Sequence, residues 1–394
     1  MIIFSGTGRK VERIGMSILS AVLLACAGVA YSADLPTDAA KQTATQRELK
    51  AAPGDWQKVI DAAKKEGTVS AYAAGWGPPT RTALTEAFKA KYGITLEFTA
   101  FGRGAEMVTR VEKEKAAGLN LVDFFPTGTG TLMTIMKPKN LLGSIEPLLV
   151  LPEATDPKAW GGKLPFVDKA KMAFHMTASL QRYIMYNTNM IKKGELTSFS
   201  DLLKPQYKGK ITMNDPSMTG PGNSMMAFLA LDAWNLQEAK DFLIRLIKQQ
   251  NAEIQRDSRV HVESVARGKF AIGLGPWPDV MNEFMKAGAP LDLVVLKEGT
   301  TVSAAAGAFG IPTAMVHPNA TKLFINWLLT KEGQTILARN YGNPSMRQDV
   351  PTEGINPLFL PRPGERLIME TEDKINFMGK MLAITKQTLQ DAEK

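Results

Sequence analysis

The chain has 394 residues, is 44% hydrophobic and 22% charged, and carries a formal net charge of +8. This is a globular composition with enough length for two domains of ordinary size. Cys26 is the single cysteine, so the chain beyond it has no disulfide, thiolate nucleophile or cysteine metal site. The basic residues form no long run and no aromatic-interleaved patch, so nucleic acid is not expected as a partner.

The first elements concern export. Arg9, Lys10 and Arg13 precede an apolar run over 14–29, and Ala30-Tyr31-Ser32 offers small residues around a cleavage site. This predicts a signal peptide over 1–32 and a periplasmic location. The run is too short, and its downstream flank too small and polar, for a membrane anchor. Leu23-Leu24-Ala25-Cys26 is a loose lipobox that would make Cys26 a lipid-bearing terminus, but Leu24 fits poorly before the small residue. Residues 33–54 are small, polar and proline-punctuated, and read as a flexible leader.

Order is expected from Asp55-Trp56. Val59, Ala62, Ala63 and Glu66 lie at helical spacing, with Lys64-Lys65 in the last turn and Gly67 as the stop. A strand over 68–73 follows, then a Gly-Trp-Gly-Pro-Pro loop and a helix over 80–92 that Gly93 ends. Strands over 94–98 and 121–125 flank a helix over 107–117. Strands alternating with helices predict βαβ units on a parallel sheet, with ligands outside the carboxyl ends of the strands.

The alternation resumes with strands over 210–213, 270–274 and 291–296 and helices over 224–234, 240–250 and 262–267. Helices over 320–329 and 331–339 come next, and an amphipathic helix over 375–389 ends the chain. Extended stretches at 180–187 and 293–301 read as two crossings between two α/β regions. Two crossings make a hinged clamshell with a cleft between its lobes.

At this point the residues resemble a family. Ala62 to Gly67, Tyr186-Asn187-Thr188, the Phe199-to-Leu203 block with Tyr207 to Ile211 and Asp215-Pro216, Val265 to Gly268, and Lys331 to Gln334 are similar to the extracellular solute-binding proteins of ABC importers. The group in question includes the ferric-iron-binding periplasmic proteins. The resemblance implies a two-lobed, type II periplasmic-binding-protein clamshell of class α/β. Each lobe is then a mostly parallel sheet flanked by helices, and two crossing strands form the hinge.

The implied boundaries are 55–182 for the first part of lobe one, 183–292 for lobe two, 293–355 for the second part of lobe one, and 356–394 for a C-terminal helical segment. The implied partners are a small-molecule solute and an inner-membrane ABC permease, and a monomer is expected. A solute-sensing partner of a signalling receptor would share the same cleft. Where the iron binders carry a tyrosine pair, this chain has Gly275-Pro276-Trp277-Pro278. That departure weakens ferric iron with a bound anion, which stays as the alternative.

Candidate ligand groups follow the strand ends, and each has a plainer reading. Trp76 stacks on a ligand or packs on its own lobe. Arg103 and Arg259 are candidate clamps for a carboxylate or phosphate, or solvated surface charges. Thr127 and Thr129, in a Thr-Gly-Thr-Gly-Thr turn that opens a helix, suit an anion. No Gly-Lys-Ser/Thr follows, so this is not a Walker loop. Ser217 and Thr219 follow a lobe-two strand as candidate donors. Trp277 occupies the place where the family puts ligand contacts. Tyr186 contacts ligand or packs the hinge.

His175, His261 and His317 are far apart and form no zinc pattern, so no metal or cofactor is expected. No nucleophile elbow or paired carboxylates nominate catalysis, so the reading is a binder and not an enzyme. The expected solute is a small anionic organic compound.

Overall fold

A computed structural model describes residues 56–393. The signal segment, Cys26 and the leader lie outside the described residues. In the first lobe, α1 (Trp56–Glu66) ends at Gly67, whose φ of 74° is left-handed. It leads into β1 (Thr68–Ala74). Helix α2 (Pro78–Tyr92) starts on two prolines and stops at left-handed Gly93. Strand β2 (Thr95–Phe101) pairs parallel with β1, and α3 (Gly104–Ala116) follows.

The third strand is shifted from its expected place. Residues 121 and 122 are irregular, and β3 runs Phe125–Thr127. The cause is Asp123, whose buried carboxylate accepts the backbone N–H groups of Ser70, Val316 and His317. A carboxylate taking backbone donors fixes the chain locally, and pairing with β1 begins only at the Ala71–Phe124 bridge. A π-helix (Thr131–Met136), β4 (Leu142–Gly143) and β5 (Phe174–His175) complete the first pass through this lobe.

The chain leaves through β6 (Ser179–Gln181) and enters a five-stranded sheet. That sheet holds β7 (Ile184–Asn187), β8 (Ile211–Asn214), β9 (Glu253–Gln255), β10 (Ile272–Leu274) and β11 (Leu291–Leu293). Its order is β11-β7-β10-β8-β9, with β8, β9 and β10 parallel and β7 antiparallel to β10.

Helices α4 (Pro221–Phe228), α5 (Leu236–Lys248), α6 (Ser258–Ala266) and α7 (Pro278–Lys286) flank it. The caps are written in the sequence. The Asn235 side chain accepts from Glu238 N–H, and Asp257 accepts from Arg259 and Val260 N–H.

The return strand β12 (Thr300–Ser303) pairs antiparallel with β6. β13 (Ala308–Pro312) then rejoins lobe one, antiparallel to β3, β4 and β5. Helices α8 (Pro318–Leu328) and α9 (Lys331–Tyr341) cover that lobe. Each lobe has its own aromatic centre. In lobe one Phe124 lies 5.0 Å from Phe309 and 5.1 Å from Phe324; in lobe two Tyr183 lies 5.1 Å from Phe228.

Residues 342–371, divided by the sequence reading between the second part of lobe one and a C-terminal helical segment, strap the two lobes together. β14 (Leu367–Met369) adds to β12, making a three-stranded hinge sheet β14-β12-β6. Arg182, just past β6, and Glu365 have fully buried side chains and pair through Nε at 2.8 Å and Nη2 at 2.6 Å. Arg362 reaches Asp292 of β11 at 2.8 Å. The final helix α10 (Glu372–Glu393) packs Ile375 into a lobe-one cluster and Met381 into the lobe-two core. Among the described residues no helix is long and apolar enough to cross a membrane.

Candidate functional site: the interlobe cleft

A cavity of about 980 Å³ lies between the lobes at the hinge. Its wall comes from the carboxyl ends of strands and the first turns of helices in both lobes, the position that open α/β sheets favour for ligands. Lobe one supplies Gly75, Gly77 and Thr80 beyond β1, and Asn340 to Asn343 at the C-terminal end of α9. Lobe two supplies Gly220, Pro221, Ser224, Trp277 and Asn282. The hinge supplies Ser179, Gln181, Tyr183, Thr301 and Ser303.

Two glycines let the backbone close up here. Gly75 has φ +107°, and a Cβ on it would sit 2.3 Å from the Ala306 Cβ. A Cβ on Gly222 would sit 2.3 Å from the Asn214 carbonyl oxygen.

The wall is mostly neutral and polar, with an aromatic side. Trp277 is 37% exposed, a large apolar surface left open. The Tyr183 hydroxyl donates to Thr301 at 3.0 Å, and burial raises its pKa. The Tyr341 hydroxyl accepts the Ala306 N–H at 2.9 Å. Lys286 and Arg339 are exposed members of the wall.

The carboxylate of the wall is Glu370. Its N–H donates to Val302 of β12 at 3.0 Å, and its Oε2 accepts the Thr129 hydroxyl at 2.6 Å. Burial pushes its pKa up, against the Thr129 bond and the nearby Lys374 charge.

The sequence-derived candidates scatter. Trp277 lines the cavity. Thr129 is buried behind it, spent on Glu370, and Thr127 is buried at the end of β3. Trp76 is 3% exposed, packs on Phe98 and Phe124, and donates its indole N–H to Ala306. It therefore braces the wall from behind.

Arg103 is exposed at the N-cap of α3, outside the cavity wall, because that helix starts beyond the far strand β2. Arg259 pairs through both Nη atoms with Glu283, each at 2.8 Å, on the exposed α6–α7 surface. Its guanidinium is thus committed elsewhere and lies outside the wall.

Ser217 turns back on Asp215, its hydroxyl donating at 2.6 Å, and Thr219 is exposed next to it; neither lines the cavity. Tyr186 is buried away from the cavity, donating to Asp292 at 3.2 Å, with burial and that carboxylate pushing its pKa up to about 12.

His175 and His261 are buried and neutral, burial lowering each pKa to about 4, and His317 lies against Asp123. Among the described residues no cluster of three or more His, Cys, Asp or Glu is placed to hold a metal ion.

Two lobes, a crossed-over strand in each sheet and a cavity at a paired-strand hinge define a type II periplasmic-binding-protein fold. Solved structures agree at the level of fold. An iron- and citrate-bound Trichodesmium IdiA/FutA shares 19% identity, covering 83% of this chain and 99% of that one, with a TM-score of 0.64. AfuA from Actinobacillus pleuropneumoniae with fructose-6-phosphate bound shares 20%, covering 82% and 99%, with a TM-score of 0.60. The spermidine/putrescine transporter protein PotD from Streptococcus pneumoniae shares 18%, covering 82% and 99%, with a TM-score of 0.59.

The chain belongs to the family of bacterial extracellular solute-binding proteins, whose model matches residues 83–357. A Haemophilus influenzae protein described as uncharacterized is 30% identical over 178 residues, 43% of this chain. The chain spans about half the length of that relative.

Proposed function

We propose that this protein captures a small organic solute in the cleft and delivers it to an ABC permease, working in the periplasm as an exported protein. Cleavage after Ser32 is part of that reading. The observation that carries it is the cavity itself: about 980 Å³, walled by both lobes and both crossing strands, with Trp277 open to it. A ligand touching both lobes favours the closed form by its differential contacts. Receptor-coupled sensing would use the same cleft.

The charge of the solute is reconsidered. The anionic reading rested on Arg103 and Arg259, which lie outside the wall, and on Thr129, which already holds a carboxylate. Ferric iron finds Tyr183 and Tyr341 in the wall, each already hydrogen-bonded within the protein. The polar wall with an aromatic side, its charged members being Glu370 and the exposed Lys286 and Arg339, supports an organic solute with a polar part and an apolar face.

The test is a thermal-shift screen of ligand-stripped protein followed by titration of the hits. A solute at about 100 times its Kd adds about 2.7 kcal/mol of stability. Covering the open third of the Trp277 indole, roughly 80–90 Å² at about 25 cal/mol/Å², is worth about 2 kcal/mol. Trp277→Ala is therefore expected to raise Kd about 30-fold. Unchanged affinity in that variant would place the solute elsewhere.

A further inference from the structure

We propose that Glu370 sets the charge of the solute: held by Thr129 at the hinge side of the cavity, its carboxylate receives the ammonium or amidinium group of a cationic organic solute. This deepens the solute-binding reading and rests on it. Glu370 arrives from a segment 241 residues beyond Thr129, immediately before α10. Its backbone is pinned to the crossing strand through Val302, and its Oε2 to the Thr129 hydroxyl, so the charge is fixed in place. An ionised carboxylate offers about four lone-pair sites. Thr129 takes one, and Glu370 belongs to the cavity wall, so a solute can meet the remainder.

The neighbouring cation is already engaged. Lys374, in the first turn of α10, pairs with Asp232 at 2.6 Å. A half-buried carboxylate with the ammonium of Lys374 shared in this way is stabilised by a cation placed against it, and an anion placed against it meets like charge.

Beside the exposed Lys286 and Arg339, the helix starts of the wall offer few donors to an anion. The helices that start against the cavity do so on proline, with Pro78 and Pro79 in α2, Pro221 in α4 and Pro278 in α7. Proline has no N–H to offer. The Gly222 N–H is taken by Asn214 Oδ1 at 3.2 Å. The turn at Thr127 to Thr131, which suits an anion by sequence, has the chain's own carboxylate in that role.

The experiment uses isosteric sets that differ in charge: 1,4-diaminobutane, 1,4-butanediol and succinate; glucosamine, glucose and glucuronate. Each is titrated calorimetrically into the full mature chain, wild type, Glu370→Gln and Glu370→Asp. Melting curves without solute establish that each variant is folded. In every set that binds, the ammonium member is expected to bind tightest. Glu370→Gln should weaken it by about tenfold or more, and by more than it weakens the neutral member, as expected for loss of a charge-assisted contact. Glu370→Asp should recover part of the loss.

Tightest binding by the acid or the neutral member overturns the role of Glu370 and leaves the solute-binding cleft standing. So does an ammonium preference that survives Glu370→Gln. Absence of binding by every member counts against the cleft reading as well as against Glu370.

Discussion

Glu365 shows how a single residue holds the hinge. Burial would raise its pKa, but the bonds from Arg182, Thr300 and the Arg362 N–H win, and the carboxyl is held below its usual range. Removing one partner of a buried pair leaves an uncompensated charge, so Glu365→Ala is expected to cost about 3–5 kcal/mol in urea denaturation. A loss under about 1 kcal/mol would mean that the pair is solvated in the native state.

Asp201 makes the corresponding pH prediction. Burial pushes its carboxyl up, yet the Lys204 ammonium and the Thr197 and Ser198 N–H groups bring it from 3.8 down to about 2. A carboxyl whose pKa is depressed by folding stabilises fully above its unfolded value and loses that contribution as the pH falls. Stability should therefore drop as the pH is lowered from about 4 to about 2, and Asp201→Asn should flatten that slope in urea midpoints.

The family resemblance pointed to Trp277, which occupies the place where the family puts ligand contacts. It did not point to Glu370, whose role depends on a partner 241 residues away. Nor could composition tell that Arg259 had a nearer carboxylate in Glu283.

Among the elements, α10 shows what periodicity can and cannot say. The apolar spacing over 375–389 announces a helix, and α10 spans Glu372–Glu393. Spacing does not say what the helix packs against. Ile375 enters a lobe-one cluster and Met381 the lobe-two core, six residues and about 9 Å further along the axis. Each truncation, Ile375→Ala or Met381→Ala, is expected to cost about 2–5 kcal/mol, and the double variant should cost nearly their sum. A silent effect at either position would place α10 on one lobe alone.

The shifted third strand and the strap over 342–371 escaped sequence reading for a common reason. Both are held by polar contacts between residues far apart in sequence, around Asp123 in one case and through Arg182–Glu365 and Arg362–Asp292 in the other, and such contacts leave no periodic pattern.

For the whole molecule, the fold class was legible because βαβ alternation and two extended crossings constrain topology strongly. The paired crossings, β6 against β12 with β14 added, give the two lobes a shared hinge sheet beside the cavity. The relatives of known structure bind chemically different solutes, so the fold positions a cleft without choosing its occupant. That choice rests with the wall residues. The most direct measurement is a crystal structure of the mature protein with the tightest solute from the screen bound. The account predicts density for that solute between the lobes, with its polar end toward Glu370 and its apolar face on Trp277. Density elsewhere, for example in the outer groove beside Tyr186 and Arg362, would contradict it.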